Sequence, residues 1–301
     1  HQGAGIMQIN AALNTPVTVV DSKTKEPEVA LKEVTANSVS FELIATNYSD
    51  EAVTYEVSGS VLTDVPVDAG VYAVSPNLFG ALDLVELGFA TLTVNGEKTK
   101  SVEIPAKSTA NLNVKITINS EANNALNSIF TNGYWLDGFV TLVDPTDTYP
   151  TLSVPYAGFK GEWDAAPIFD APRWDADSFY GYTDILSPIA DQLYYVGNSY
   201  FSPNGDGVFD EAIPIVSFLR NAKEITVKVL DENQKELRTI RTDYEVRKNY
   251  FNGGERNPYT LNFGWTWDGT VKGEVVEDGQ YYIQLEGVID FKGAKKKTLL
   301  L

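Results

Sequence analysis

Most of this chain is written with a period of two. In AKEITVKVLD, Ile225, Val227 and Val229 alternate with Thr226, Lys228 and Leu230, which marks a strand with one buried face. DENQ (231–234) reads as a tight turn and KELRTI as the returning strand, so the unit is expected to be a β-hairpin. From Pro16 onward the same grammar recurs in PVTVV, VALKEV, VSFELIATNYS, VTYEVSGSVLTDV, FATLTVNG and KSVEIPAKSTANLNVKITI. Strands this short can each bury only one face, so they require a second sheet across the core. The expected fold is all-β, an antiparallel sandwich architecture. The 23 Gly, 14 Pro, 16 Tyr and 14 Phe favour strands and turns in the same way. A chain of 301 residues is long enough for about two such domains.

Charge and composition remove several classes. A net charge of −18 opposes binding to nucleic acid, whose phosphates need Lys and Arg, and opposes adsorption to anionic membrane, while cations remain plausible partners. No window of 18 consecutive apolar residues exists, so no membrane insertion is expected. There is no cysteine, hence neither disulfide nor thiol chemistry. The chain opens on His1 and closes on KKKTLLL without a signal peptide or wall-sorting motif, and is read as a piece of something longer.

One loop holds a candidate site. In SPNGDGVFDE, Gly205 and Gly207 permit φ > 0, so the oxygens of Asn204, Asp206 and Asp210, with the Val208 carbonyl between, can converge on one point. Ca²⁺ takes six to eight such oxygens. The same residues also compose a turn whose Asx side chains bond their own backbone amides. Both readings stand at this point.

Three motifs in order, SPNGDG with FLRNAKEITVKVLD, then WTWDGTVKGEVVEDGQYYIQLEG, resemble the fibronectin-III-like domain that follows the catalytic domain of large extracellular subtilisin-like proteinases. The C5a peptidase and lactocepin (lactococcal cell-envelope proteinase) group carries the resemblance best. NGYWLDGFVTL and LSVPYAGFKGEW resemble the last two strands of the first accessory domain of those enzymes, and HQGAGIMQINAAL resembles the segment closing their catalytic domain. The resemblance implies a remnant of a catalytic domain over 1–13 and a first fibronectin-III-like domain over 14–163. A linker over 164–193 and a second fibronectin-III/Ig-like domain over 194–301 would follow. Pro155 places the last strand of the first domain at an edge or a bulge, and residues 72–89 read as an insertion. The aromatics of the linker (Trp174, Phe179, Tyr180, Tyr182) imply that it packs against something.

Catalysis is not expected from these residues. His1 is the only histidine, so no serine can be paired with a base, and zinc sites built on His or Cys are excluded. A carboxylate pair for glycoside hydrolysis stays open among 41 acidic residues, with Trp135, Trp163 and Trp174 as the first candidates for stacking on sugar. The function implied by the resemblance is a non-catalytic accessory region of an extracellular or wall-attached serine endopeptidase. Such a region would brace the catalytic domain, help large protein substrates reach it, or space it from the wall. Its expected partners are that catalytic domain and a protein substrate, with the chain itself a monomer. The alternative is a surface adhesin or carbohydrate-binding module.

Overall fold

The computed structural model describes residues 8–68, 72–74, 81–98, 100–189, 192–195, 200–251 and 256–301. The chain divides into two compact units, His1–Ala165 and Ala166–Leu301. It is all-β, as the alternation requires.

The first unit begins with a short helix, α1 (Ile9–Asn14), and continues into β1 (Val17–Asp21), β2 (Val29–Val34), β3 (Ser38–Asn47) and β4 (Val53–Gly59). Then come β5 (Ala90–Val94), β6 (Lys100–Ile104), β7 (Thr109–Ile118), helix α2 (Ser120–Ile129), β8 (Tyr134–Val143) and β9 (Leu152–Lys160). One sheet has the order β1-β3-β7-β5, and the other runs β6-β4-β8-β9-β2 with short additional pairings. Leu43 with Leu112 and Phe41 with Val114 are direct cross-strand partners, and these join Tyr55, Val57, Leu136, Val140 and Leu142 of the other sheet in one core. α2 was not foreseen. Asn119 caps it by accepting from the Ala122 amide at 2.7 Å, and Ala122 and Leu126 on one face enter the core.

β9 is internal, paired with β8 on one side and in parallel with β2 on the other. Pro155 is nevertheless tolerated, because pairing to β2 begins only at Tyr156, and a register shift follows between Ala157 and Gly158. The edge position expected for this strand is thus corrected, and the bulge is present. Within the expected insertion at 72–89, residues 75–80 lie outside the described residues. Leu84 and Ala90 are buried in the core.

Among the described residues the second unit has two four-stranded antiparallel sheets, besides two short two-stranded pairings. The first contains β10 (Asp184–Ile189), β11 (Gln192–Tyr195), β12 (Ile213–Val216) and β15 (Thr260–Leu261) in the order β11-β10-β12-β15. The second contains β13 (Ala222–Leu230), β14 (Glu236–Val246), β16 (Tyr282–Val288) and β17 (Lys297–Leu300) in the order β14-β13-β16-β17. Ile225, Val227 and Val229 are buried, and the DENQ turn is closed by the Asp231 carboxylate accepting from Asn233 and Lys235 amides, each at 2.9 Å.

The stretch read as a linker, 164–193, packs into this unit from Ala166 on. Ile168, Phe169 and Asp170 are buried, and Asp184 onward pairs with β12. Up to Thr183 it is irregular chain without a period, tied in part by Asp170, which accepts from the Phe179 and Tyr180 amides, each at 2.7 Å. Of its aromatics, Tyr182 packs on Tyr259 and Tyr180 donates to Asn249 O, whereas Trp174 and Phe179 stand in solvent.

Gly138 is the most closely surrounded of the described glycines in the first unit. It sits at φ +156°, and a Cβ there would run into the Ser60 carbonyl and the Tyr156 hydroxyl, which donates to that carbonyl at 2.5 Å. Gly138→Ala is expected to destabilise the first unit by about 3 kcal/mol through overpacking and backbone strain. Urea denaturation of the two proteins measures it, and a change below about 0.5 kcal/mol would show that Ser60 can simply move aside.

Candidate functional site

The SPNGDG loop folds as the self-bonded turn. Both glycines take positive φ, +78° at Gly205 and +85° at Gly207, which turns their amides toward Asp210. Asp210 Oδ1 accepts from Gly205 N at 2.6 Å and Oδ2 from Gly207 N at 2.7 Å. Asn204 Oδ1 accepts from the Asp206 amide, and Asp206 Oδ1 accepts from Val208. Asn204 Nδ2 donates to Asp206 Oδ2, so amide protons point where a cation needs lone pairs. Among the described residues no three Asp, Glu, His or Cys gather as a metal site. Calcium at Asn204, Asp206, the Val208 carbonyl and Asp210 would require this bonding to be exchanged for coordination.

Around this loop the WTWDG and EDGQYY segments meet the SPNGDG segment. Trp267 of WTWDG is 2 % exposed, its ring flanked edge-to-face by Phe201 at 5.1 Å and Tyr281 at 5.2 Å. Its indole N–H donates to Thr270 O, and Arg238 of β14 holds the same turn through Asp268 and Thr270. Gly269 at φ +73° lies against Pro203, where a Cβ would come within 2.6 Å of the proline ring. Tyr281 donates to Glu277 O and thereby fixes the EDGQYY turn. The three segments leave between them a cavity of about 480 Å³, with Phe201, Val275, Tyr281 and Leu301 among its apolar walls and Glu277 and Asp278 as its charged groups. Sequence reading found each motif but not the cavity they form together.

In the first unit, Trp135, Phe159 and Trp163 cluster on the outer face of the sheet. Their centroids lie 4.8 to 5.8 Å apart at interplanar angles of 56° to 85°. Tilted rings pack on each other and do not form the flat platform a sugar stacks on. Trp174 is 60 % exposed in the second unit. The three candidate tryptophans therefore do not assemble one carbohydrate surface within either unit. His1 lies outside the described residues.

Asp137 shares the outer face with Trp135, and burial pushes its carboxyl up to about 6. A raised folded-state value favours the protonated fold: its stabilisation is complete below the ordinary carboxylate value and is lost as pH rises through about 6. Asp137→Asn is therefore expected to gain melting temperature relative to wild type as pH rises from 4 to about 6, and to hold that gain at pH 7. A difference that stays flat over that range would rule out this role for Asp137.

Residues 29–157 match the family model of the Fn3-like domain, which accounts for most of the first sandwich. Across nearly its whole length the chain is similar to C5a peptidases and lactococcal proteinases. It is 26% identical to the C5a peptidase of Streptococcus pyogenes serotype M1, over 99% of this chain and 30% of that protein. It is 24% identical to the PII-type proteinase of Lactococcus lactis subsp. cremoris, over 96% of this chain and 16% of that protein. The chain thus spans less than a third of the relatives it matches. Among solved structures, the periplasmic chaperone SfaE aligns over 94% of this chain and 98% of its own at 10% identity with a TM-score of 0.31, which carries no argument.

The self-bonded loop makes a direct forecast. Asp210→Ala removes two amide bonds to a charged acceptor and should cost about 1 kcal/mol, equally in EDTA and in calcium. Melts in 2 mM Ca²⁺ and in EDTA should coincide. A calcium-dependent rise that Asp206→Ala abolishes would establish the ion instead.

Proposed function

We propose that this chain is a non-catalytic accessory region of a subtilisin-like extracellular serine endopeptidase, secreted or attached to the cell wall. The carrying observation is the coverage: nearly all of this chain corresponds to a minority stretch of two cell-envelope proteinases. The residues agree, since a triad needs a base beside its serine and the only histidine is His1. In this reading residues 1–13 close the catalytic domain, and the two sandwiches brace it, guide large protein substrates to it or hold it off the wall. Such a role suits stacked sheets, which are stiff and carry loops at fixed positions. Among the described residues no helix is long and apolar enough to cross a membrane.

The reading has a direct test. The purified 301-residue chain should neither cleave casein nor take up a fluorophosphonate. An antibody against it should precipitate, from a culture of the source organism, a larger polypeptide that does take up the label. Stoichiometric labelling of the chain itself, or a precipitated polypeptide with no reactive serine, would overturn the proposal.

A further inference from the structure

The cavity around Trp267 has no assigned occupant, and its walls specify one. Its volume of about 480 Å³ lies in the range of ligand pockets, roughly 300 to 1,000 Å³. The lining is apolar on several sides, with Ile185, Phe201, Val275 and Leu301, and it includes no Lys or Arg. Its only charged side chains are Glu277 and Asp278, and neither has a side-chain ion pair or hydrogen bond among the described residues. Asp206, Asp210 and Glu211 add negative charge along the adjoining loop.

We infer that this cavity binds an extended polypeptide segment in which a bulky apolar side chain is flanked by lysine or arginine. The apolar side chain enters against Phe201, Val275 and Tyr281, and the cation meets Glu277 and Asp278 at the mouth. Charge complementarity selects the cation, because two unpaired carboxylates on a chain of net charge −18 repel anionic ligands and attract cationic ones. The tyrosine rings add a cation–π surface. A sugar is disfavoured, because Phe201 and Tyr281 meet Trp267 edge-to-face at 70° and 63° and leave no coplanar platform. This inference stands on the second unit alone and does not depend on the proteinase reading.

The ¹⁵N-labelled 301-residue chain is titrated with Ac-Gly-Lys-Phe-Lys-Gly-NH₂, with its Glu-Phe-Glu counterpart and with cellohexaose, and amide shifts are followed. The basic peptide should move the amides of Ser202, Val275, Gly279 and Tyr281 and bind at least tenfold more tightly than the acidic one. Glu277→Gln with Asp278→Asn should remove that tenfold preference. Val275→Trp should block entry, and because Val275 is exposed the fold should tolerate it. No shift at these amides, equal binding of the two peptides, or a preference that survives the double substitution would overturn the inference. So would binding of cellohexaose in preference to the basic peptide. The double substitution touches only exposed side chains, so the test holds even if Val275→Trp fails to fold.

Discussion

A strand that alternates apolar and polar residues has one face that water rejects, and the first unit is organised by covering it. Leu43 and Ala45 on β3, and Leu112, Val114 and Ile116 on β7, are covered by Tyr55 and Val57 on β4 and by Leu136, Val140 and Leu142 on β8. At roughly 25 cal/mol per Å² of apolar area, each such side chain contributes about 2 kcal/mol. A slip of one residue would turn a whole set into solvent, so the register is fixed by the same burial that supplies the stability. Conformational freedom is then lost where the sheets meet and kept in loops, which is where a site on this fold must lie.

In the second unit the equivalent fixed point is Trp267. Three segments distant in sequence meet on it because each carries a device for close approach. Phe201 and Tyr281 offer ring edges, and Gly269 lets the turn lie against Pro203. Truncating a tryptophan as buried as this typically costs 3 to 5 kcal/mol, so the SPNGDG and WDG motifs have a structural explanation before any functional one. The cavity follows from the same geometry. Edge-to-face rings and tight turns hold its walls apart, and they make those walls rigid enough to select a ligand.

What was legible in the sequence was whatever depends on near neighbours. Ile225, Val227 and Val229 declare their strand, and DENQ declares its turn. α2 was signalled more faintly, by Asn119 as cap and by Ala122 and Leu126 four apart, and strands on either side obscured it. Residues 164–193 read as a linker because they have no clear period, yet 166–183 pack into the second unit. What holds them is Asp170 reaching amides nine and ten residues on, together with Ile168 and Phe169 entering a core built from strands far along the chain. The cavity was illegible for the same reason: Phe201, Trp267 and Tyr281 become neighbours only once the sheets exist. Pro155 shows the reverse case. The rule against proline in a central ladder is local, and the fold satisfies it by starting the next strand one residue later.

The acidity of the chain has a structural use that bears on its one candidate ion site. Asp21 accepts from the Lys23 and Thr24 amides, and Asp144 accepts from Thr146, Thr148 and Tyr149. Asp170 and Asp231 close their turns in the same way. Hydrogen bonds to the Thr146, Tyr149 and Thr148 amides hold the Asp144 carboxyl below its ordinary range, as expected for a charged acceptor. Asp210 and its two glycine amides repeat this arrangement. Convergent oxygens in this chain are therefore the ordinary way it turns a corner, and their convergence alone does not imply a cation. What separates the Asn204–Asp210 loop from the other turns is its position beside the Trp267 cavity. There its carboxylates add to the field of Glu277 and Asp278, and that field reaches any ligand approaching the mouth within about a Debye length, ~8 Å at physiological salt.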